Sequence, residues 1–205
     1  MVRVNRRIAL LGGLAAVGFG LRPAAGAPAT PSAVVEAFYA VLLAVMKQAT
    51  SLGFEGRYRR LQPAIEAAFD LPLMIRLAVG PQWNSLAPAQ QGRLLEAFRR
   101  FTVGTYASRF DGYEGEHFEV TGEAPSPSGG TLVQTRLVPP KNDPVELNYL
   151  LRQGDAGWQI IDVFLSGTIS QLATWRAEFT SVLRRDGADG LVGLLENKLA
   201  ALTPR

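Results

Sequence analysis

The chain has 205 residues, with 21 basic and 18 acidic side chains, a single histidine and no cysteine. That length suits one domain with a sizeable core. The lack of cysteine excludes disulfides, thiolate metal sites and cysteine nucleophiles, and a lone His117 narrows the enzyme classes further.

The first residues read as an export signal. Arg3, Arg6 and Arg7 precede an apolar run from Ile8 to Leu21, and Ala24, Ala25 and Gly26 supply the small residues of a cleavage site. Residues 1–26 are therefore expected to be a cleaved signal peptide, and residues 27–205 the mature domain. Asn5-Arg6-Arg7-Ile8 leaves a twin-arginine route open beside the general secretory one. The run is too short for a spanning helix, which needs roughly 20 residues, and no cysteine follows to carry a lipid anchor. Four of the 21 basic residues lie in this leader and no acid does, so the remainder carries 17 basic against 18 acidic residues. The basic balance is thus a property of the leader, and no clustered basic face points to nucleic acid.

Beyond the leader, Thr30-Pro31 reads as a cap and first helical position, opening a helix to about Ser51 with Val34, Phe38, Val41, Leu42 and Val45 at helical spacing. Gly53 and Gly56 interrupt it. A second helix is expected over 57–69, kinked at Pro63. Asp70 can cap a short helix from Leu71 to Val79, stopped by Gly80-Pro81. Ala87-Pro88 opens the longest helix, to about Phe110, with Leu94, Leu95, Phe98, Phe101, Thr105 and Tyr106 as its apolar stripe.

The period then falls to two. Four strands are expected at 116–123, 131–139, 144–153 and 158–165, joined by short turn-rich segments and hence paired as an antiparallel meander. The third strand alternates Val145, Leu147, Tyr149 and Leu151 against a wetter face. The fourth is apolar on both faces, with Trp158, Ile160 and Phe164 on one and Ile161, Val163 and Leu165 on the other, as in a strand covered on both sides. Helices follow over 168–185 and 190–202. The order of elements gives an α+β domain with helices packed on a curved antiparallel sheet, NTF2-like in outline.

Few residues could carry chemistry. His117 alternates outward beside Glu119 and has no nucleophile in reach; no G-x-S-x-G occurs. Asp111, Glu114, Glu116, Glu119 and Glu123 cluster about the first strand as a solvated edge. Asp162 breaks an apolar strand. It is either a structural acceptor for backbone amides or an arginine such as Arg176, or a general base in a cone-shaped enzyme of the ketosteroid-isomerase kind. Gly187-x-x-Gly190-x-x-Gly193 lacks the Lys and Ser/Thr of a phosphate loop and reads as a turn between helices. An adaptor that touches only other proteins is a third reading. Composition alone does not separate a filled core from a lined cavity.

An ordered set of segments carries a resemblance. Phe69-Asp70 with the helix to Gly80 and Trp83, the central stretch from Leu94 to Thr105-Tyr106, Trp158-Gln159-Ile160-Ile161-Asp162-Val163, and Gly167, Ile169, Trp175-Arg176 and Phe179 together resemble the MlaC family, also called toluene-tolerance auxiliary proteins. Gly112-Tyr113-Glu114-Gly115 and Asp162-Val163-Phe164-Leu165 are similar to its hopanoid-associated HpnM branch. One departure is Ser166, where many relatives carry an acid before the glycine.

The resemblance implies a periplasmic shuttle, expected as a monomer, without catalytic residues, metal or cofactor. It would carry a phospholipid or a hopanoid-type lipid between an inner-membrane ABC transporter complex and an outer-membrane complex. The cavity it implies is expected between sheet and helices. Phe38 and Leu42 would come from the first helix, and Phe98, Phe101 and Tyr106 from the central helix. Val145, Leu147, Tyr149 and Leu151 would come from the third strand, and Ile161, Val163 and Leu165 from the fourth.

Overall fold

Thr30 is extended, and its Oγ1 accepts the Ala33 amide at 3.2 Å, so that helix α1 (Pro31–Met46) starts at the expected cap. The computed structural model describes residues 30–203; the expected leader, residues 1–26, lies outside them. The helix ends at Met46, short of Ser51, and helix α2 (Ala49–Ala68) follows at once. The break inside α2 falls at Gly53 (φ 58°), where a glycine takes the left-handed conformation without a Cβ clash. Pro63, expected as the kink, sits within the helix. Pro63 and Arg59 are both exposed, so the carbonyl that loses its partner four residues back can bond water.

Asp70 caps helix α3 (Leu71–Val79) through its carboxylate and the Leu73 amide at 3.0 Å. Gly80 (φ 73°) ends α3 and opens a 3-10 turn, Gly80–Ser85, ahead of helix α4 (Pro88–Arg109). Arg57 is buried without a carboxylate. Its Nε donates to the Ala107 carbonyl at 2.7 Å and its Nη1 to the Ala49 carbonyl at 3.0 Å, so the partial negative charge at the end of α4 faces this cation.

The sheet runs β1 (His117–Pro125), β2 (Thr131–Val138), β3 (Val145–Gly154), β4 (Gly157–Leu165) and β5 (Ile169–Ser170), all antiparallel and in chain order. It therefore has five strands, not four. The fifth is two residues long, too short to show a period. It exists because Ser166 (φ 50°) and Gly167 (φ 74°) fold the chain straight back onto Phe164 and Leu165. Helix α5 (Gln171–Leu202) replaces the two expected helices. Its only non-helical residue is Gly187 (φ 67°), so the joint is one residue rather than a loop.

Two bulges reset the faces. In β1 the pairing shifts between Val120 and Gly122, leaving Thr121 as the extra residue. Phe118 and Val120 keep their inward positions, and Glu123 comes opposite Val133. From there the Glu123 carboxylate accepts the Ser32 amide at 2.9 Å and the Ser32 hydroxyl at 2.5 Å, capping α1. In β4 Leu150 pairs with Asp162 and Leu151 with Ile160, leaving Ile161 as the extra residue. Ile160 thus shares the inner face with Leu151, Tyr149 and Val163. Ile161, expected beside Val163, is on the outer face with Leu150 and Asp162; all three are buried.

The far edge of the sheet is sealed by α2, α3 and α5. Phe69 bridges Ile160, and the Asp70 amide donates to the Ile160 carbonyl at 2.9 Å. Asp162, 4% exposed, accepts the Val163 and Leu172 amides on Oδ1 (2.8 and 2.9 Å) and the Ser170 hydroxyl on Oδ2 at 2.5 Å. Ser170 in turn accepts the Ala173 amide at 2.9 Å. This is the structural alternative of the two that the sequence left open, with backbone amides rather than an arginine as partners. Arg176 donates instead to the Leu77 carbonyl, at 2.7 and 3.0 Å. Asp162→Ala leaves the Leu172 amide and the Ser170 hydroxyl without acceptors. It is expected to cost about 1–3 kcal/mol, read as a lower midpoint in denaturant unfolding.

Candidate functional site

The side chains that α4 turns inward change character along the helix. As far as Phe101, the residues Leu94, Phe98 and Phe101 are buried in the packed core. Phe98 meets Trp175 and Phe179 of α5 edge-on, with ring centroids 5.2 and 6.4 Å apart, and Phe101 meets Trp175 at 6.2 Å. Beyond Phe101 the residues in these positions are Thr102, Thr105, Tyr106 and Arg109. Two threonines cannot fill the space that phenylalanines fill one turn earlier, and a pocket of about 390 Å³ opens there.

Leu137, Val145, Leu147, Tyr149, Val163 and Leu165 of the sheet form one wall. The α4 residues with Phe110 form the other, Phe69 and Met74 the inner end, and Ser166, Gln171 and Trp175 part of the rim. Phe69, Met74 and Tyr149 are fully buried, while Val145 is 46% exposed, so the space runs from the core to solvent. Arg109 is exposed, is the only charged residue on the wall among the described residues, and has no ion-pair partner there.

Of the twelve residues expected at a lipid cavity, six border this pocket: Tyr106, Val145, Leu147, Tyr149, Val163 and Leu165. Phe38, Leu42, Phe98, Phe101 and Leu151 are in the packed core instead, because the filled half of α4 and the whole of α1 lie tight against their neighbours. Ile161 is turned away by the β4 bulge. Missed were Thr102, Thr105 and Arg109, although they fall on the same helical stripe as Tyr106. Selecting large apolar residues for the wall passed over these three, Thr105 among them although it stands in the expected stripe. Met74 and Trp175 carry no sequence signal that separates a pocket wall from core.

Three tyrosines stand at the inner wall. The Tyr39 hydroxyl lies 2.5 Å from Thr135 Oγ1, which donates to the Leu147 carbonyl, and the Thr135 amide donates to Asn148 Oδ1 at 3.0 Å. The Tyr149 phenol interacts with those of Tyr39 and Tyr106. Burial pushes the Tyr39 phenol up to about 12 and raises Tyr106 and Tyr149 as well. All three stay protonated and uncharged at ordinary pH, so the inner wall is neutral.

Among the described residues no reacting pair stands beside the pocket. Asp162 does not line it, and both its oxygens are taken. His117 is exposed, with Nε2 3.0 Å from Glu119, whose carboxyl is held below its usual range chiefly by Arg136 at 2.6 Å. Among the described residues no cluster of His, Asp and Glu could hold a metal ion. A shallower cleft beside Leu71 and Pro72 is bordered by Arg99, which pairs with Glu66 and Glu96 at 2.5 and 2.6 Å.

A family model described as MlaC protein matches residues 36–197. The chain belongs to the MlaC family. The match spans all elements of the fold except the first turn of α1 and the last turn of α5. Among solved structures, the chain is similar to a phospholipid-binding protein from Ralstonia solanacearum, determined in complex with a phospholipid. The two share 22% identity and a TM-score of 0.73, over 87% of this chain and 99% of that one. This likeness is one of fold. Among curated proteins none matches significantly.

The pocket gives a direct contrast between two leucines of one strand face. Leu151 is fully buried in packed core, whereas Leu147 borders the open space. In delipidated protein Leu151→Ala is expected to cost about 2–5 kcal/mol and Leu147→Ala clearly less, under about 2 kcal/mol. Denaturant unfolding of the two variants side by side measures the difference.

Proposed function

We propose that this MlaC-family protein is a periplasmic lipid carrier that holds an acyl chain of a phospholipid between α4 and the sheet. The observation that carries this reading is the pocket itself: an apolar lumen with a neutral inner wall, opening to solvent beside one unpaired cation. An apolar cavity of about 150 Å³ holds the six carbons of benzene, so about 390 Å³ has room for roughly fifteen carbons. Burying that many methylenes stabilises the bound state by on the order of 12 kcal/mol relative to water. A lipid tail therefore crosses an aqueous gap inside such a pocket without covalent chemistry. Arg109 at the rim suits a phosphate, which it can meet with paired N–H donors.

The similar Ralstonia solanacearum protein was determined with a phospholipid, which makes a phospholipid the favoured cargo. Among the described residues no helix is long and apolar enough to cross a membrane. The carrier would therefore receive and deliver lipid at other proteins, with an inner-membrane ABC transporter complex and an outer-membrane complex as its expected partners. The leader-like residues 1–26 support export to the periplasm. With Asp162 committed to capping α5, no residue on the pocket wall takes the role of a general base, and the reading is of a binding protein rather than an enzyme.

Organic extraction of the purified protein followed by mass spectrometry tests the proposal. Phospholipid is expected in near-equal amount to protein, and extracts free of lipid would contradict the carrier reading. Leu147→Arg puts a charge on the wall where the chain runs. It is expected to abolish lipid retention while the domain still folds by circular dichroism; normal loading of this variant would remove the pocket as the binding site.

A further inference from the structure

The stripe of α4 that faces the pocket carries three polar residues, Thr102, Thr105 and Arg109, spaced so that all lie on one side of the helix. Arg109 stands at the rim, and Thr102 lies seven residues deeper, about 10 Å along the axis. The two threonines differ in what their protons do. Thr105 donates its hydroxyl proton to the Phe101 carbonyl at 2.8 Å, the usual back-bond of a helical threonine. Thr102 makes no such bond. It is 4% exposed, and its hydroxyl is buried with no hydrogen-bond partner. The Tyr39 phenol is occupied with Thr135. Among the described residues Thr102 thus carries the one hydroxyl on the pocket wall that is buried and without a hydrogen-bond partner.

A buried hydroxyl without a partner is costly, and a site that retains one is poised to receive an acceptor from elsewhere. The acceptor must come from the lumen that Thr102 lines. A rotation of χ1 between the two rotamers that threonine adopts in a helix moves Oγ1 to another staggered position and lets the hydroxyl meet an acceptor in that space. A hydrocarbon chain offers no acceptor there. A glycerophospholipid does: its ester carbonyls sit on the tail side of its phosphate, in the order in which Thr102 and Arg109 follow one another along α4.

We propose that Thr102 donates a hydrogen bond to an ester carbonyl of the bound lipid, so that the pocket distinguishes acyl-ester glycerolipids from cargo without carbonyls. This rests on the carrier reading above and goes beyond it, since a pocket that merely shelters a tail would be indifferent to the linkage. Thr102 is then a specificity-determining residue, and Arg109 fixes how far the lipid enters.

The test uses the delipidated full-length protein and two probes, a diacyl phosphatidylglycerol and its dialkyl-ether counterpart of equal chain length. The wild-type protein is expected to bind the ester form roughly two- to tenfold more tightly, the range for one net hydrogen bond. Thr102→Val keeps the shape, removes the donor and is expected to erase the preference by weakening only the ester form; Thr102→Ser is expected to restore it. Because the orphaned hydroxyl is gone, Thr102→Val should also leave the melting temperature of the delipidated protein unchanged or higher, which a merely structural threonine would not do. Equal affinity of the wild-type protein for both probes overturns the proposal while leaving the carrier reading intact, whether or not the variants fold. A preference that survives Thr102→Val overturns it too. Failure of the wild-type protein to bind either probe overturns both readings together.

Discussion

Two groups of aromatic rings fix the position of α4, and the pocket is the space between them. On one side Tyr106 stands edge-on to Phe38 and Phe69, with centroids 5.3 and 5.7 Å away, and stacks on Phe110 at 5.7 Å. Tyr39, stacked on Phe118 at 4.1 Å, extends that group onto β1. On the other side Trp175 packs against Phe98, Phe101 and Phe179. Rings are stiff spacers, and close-packed interiors do not deform continuously. With both groups in place, the short threonines between them cannot draw the helix onto the sheet, and a void persists that a better-filled helix would lack.

The remaining polar groups serve that geometry. Arg57 satisfies the carbonyl of Ala107 near the C-terminal end of α4, the end that borders the rim. Asp162 and Ser170 cap α5 where it leaves the sheet, which fixes Gln171 and Trp175 at the mouth. The tight turn at Ser166-Gly167 brings β5 back onto β4 and sets Ser166 on the rim. Gly167 sits at φ 74°, a backbone conformation that suits glycine at this turn. The departure at Ser166, read from sequence as the loss of an acid, puts a neutral residue on the pocket rim.

Much of the fold is legible in the sequence because it is written in local signals. Thr30-Pro31, Asp70, Gly80 and Pro88 mark helix ends by capping and backbone chemistry, and the period-two runs mark four strands within one or two residues. The bulges are another matter. A bulge is one residue of mismatch between two strands, set by pairing across the sheet, and neither strand shows it alone. The bulge at Ile161 therefore sent that residue to the wrong face and kept Ile160 out of the inner one. The pocket was half legible for a related reason. The strand residues that line it alternate with the sheet, and were found. The helix residues that open it are small or polar, and a search for large apolar side chains passes over the positions where a cavity comes from. Whether Phe98 fills space or borders it depends on Trp175, 77 residues away in sequence.

The central claim is that a lipid chain lies between α4 and the sheet, against Trp175. A phospholipid brominated in its acyl chain reports this directly, because bromine quenches indole fluorescence only at close range. Trp175 lines the pocket, whereas Trp83 and Trp158 do not. Binding of the brominated lipid to delipidated protein is predicted to quench part of the tryptophan emission, and Trp175→Phe is predicted to abolish that quenching while leaving the emission of Trp83 and Trp158 in place. Equal quenching in the wild-type and Trp175→Phe proteins, or none in the wild-type protein with lipid bound, would contradict the account.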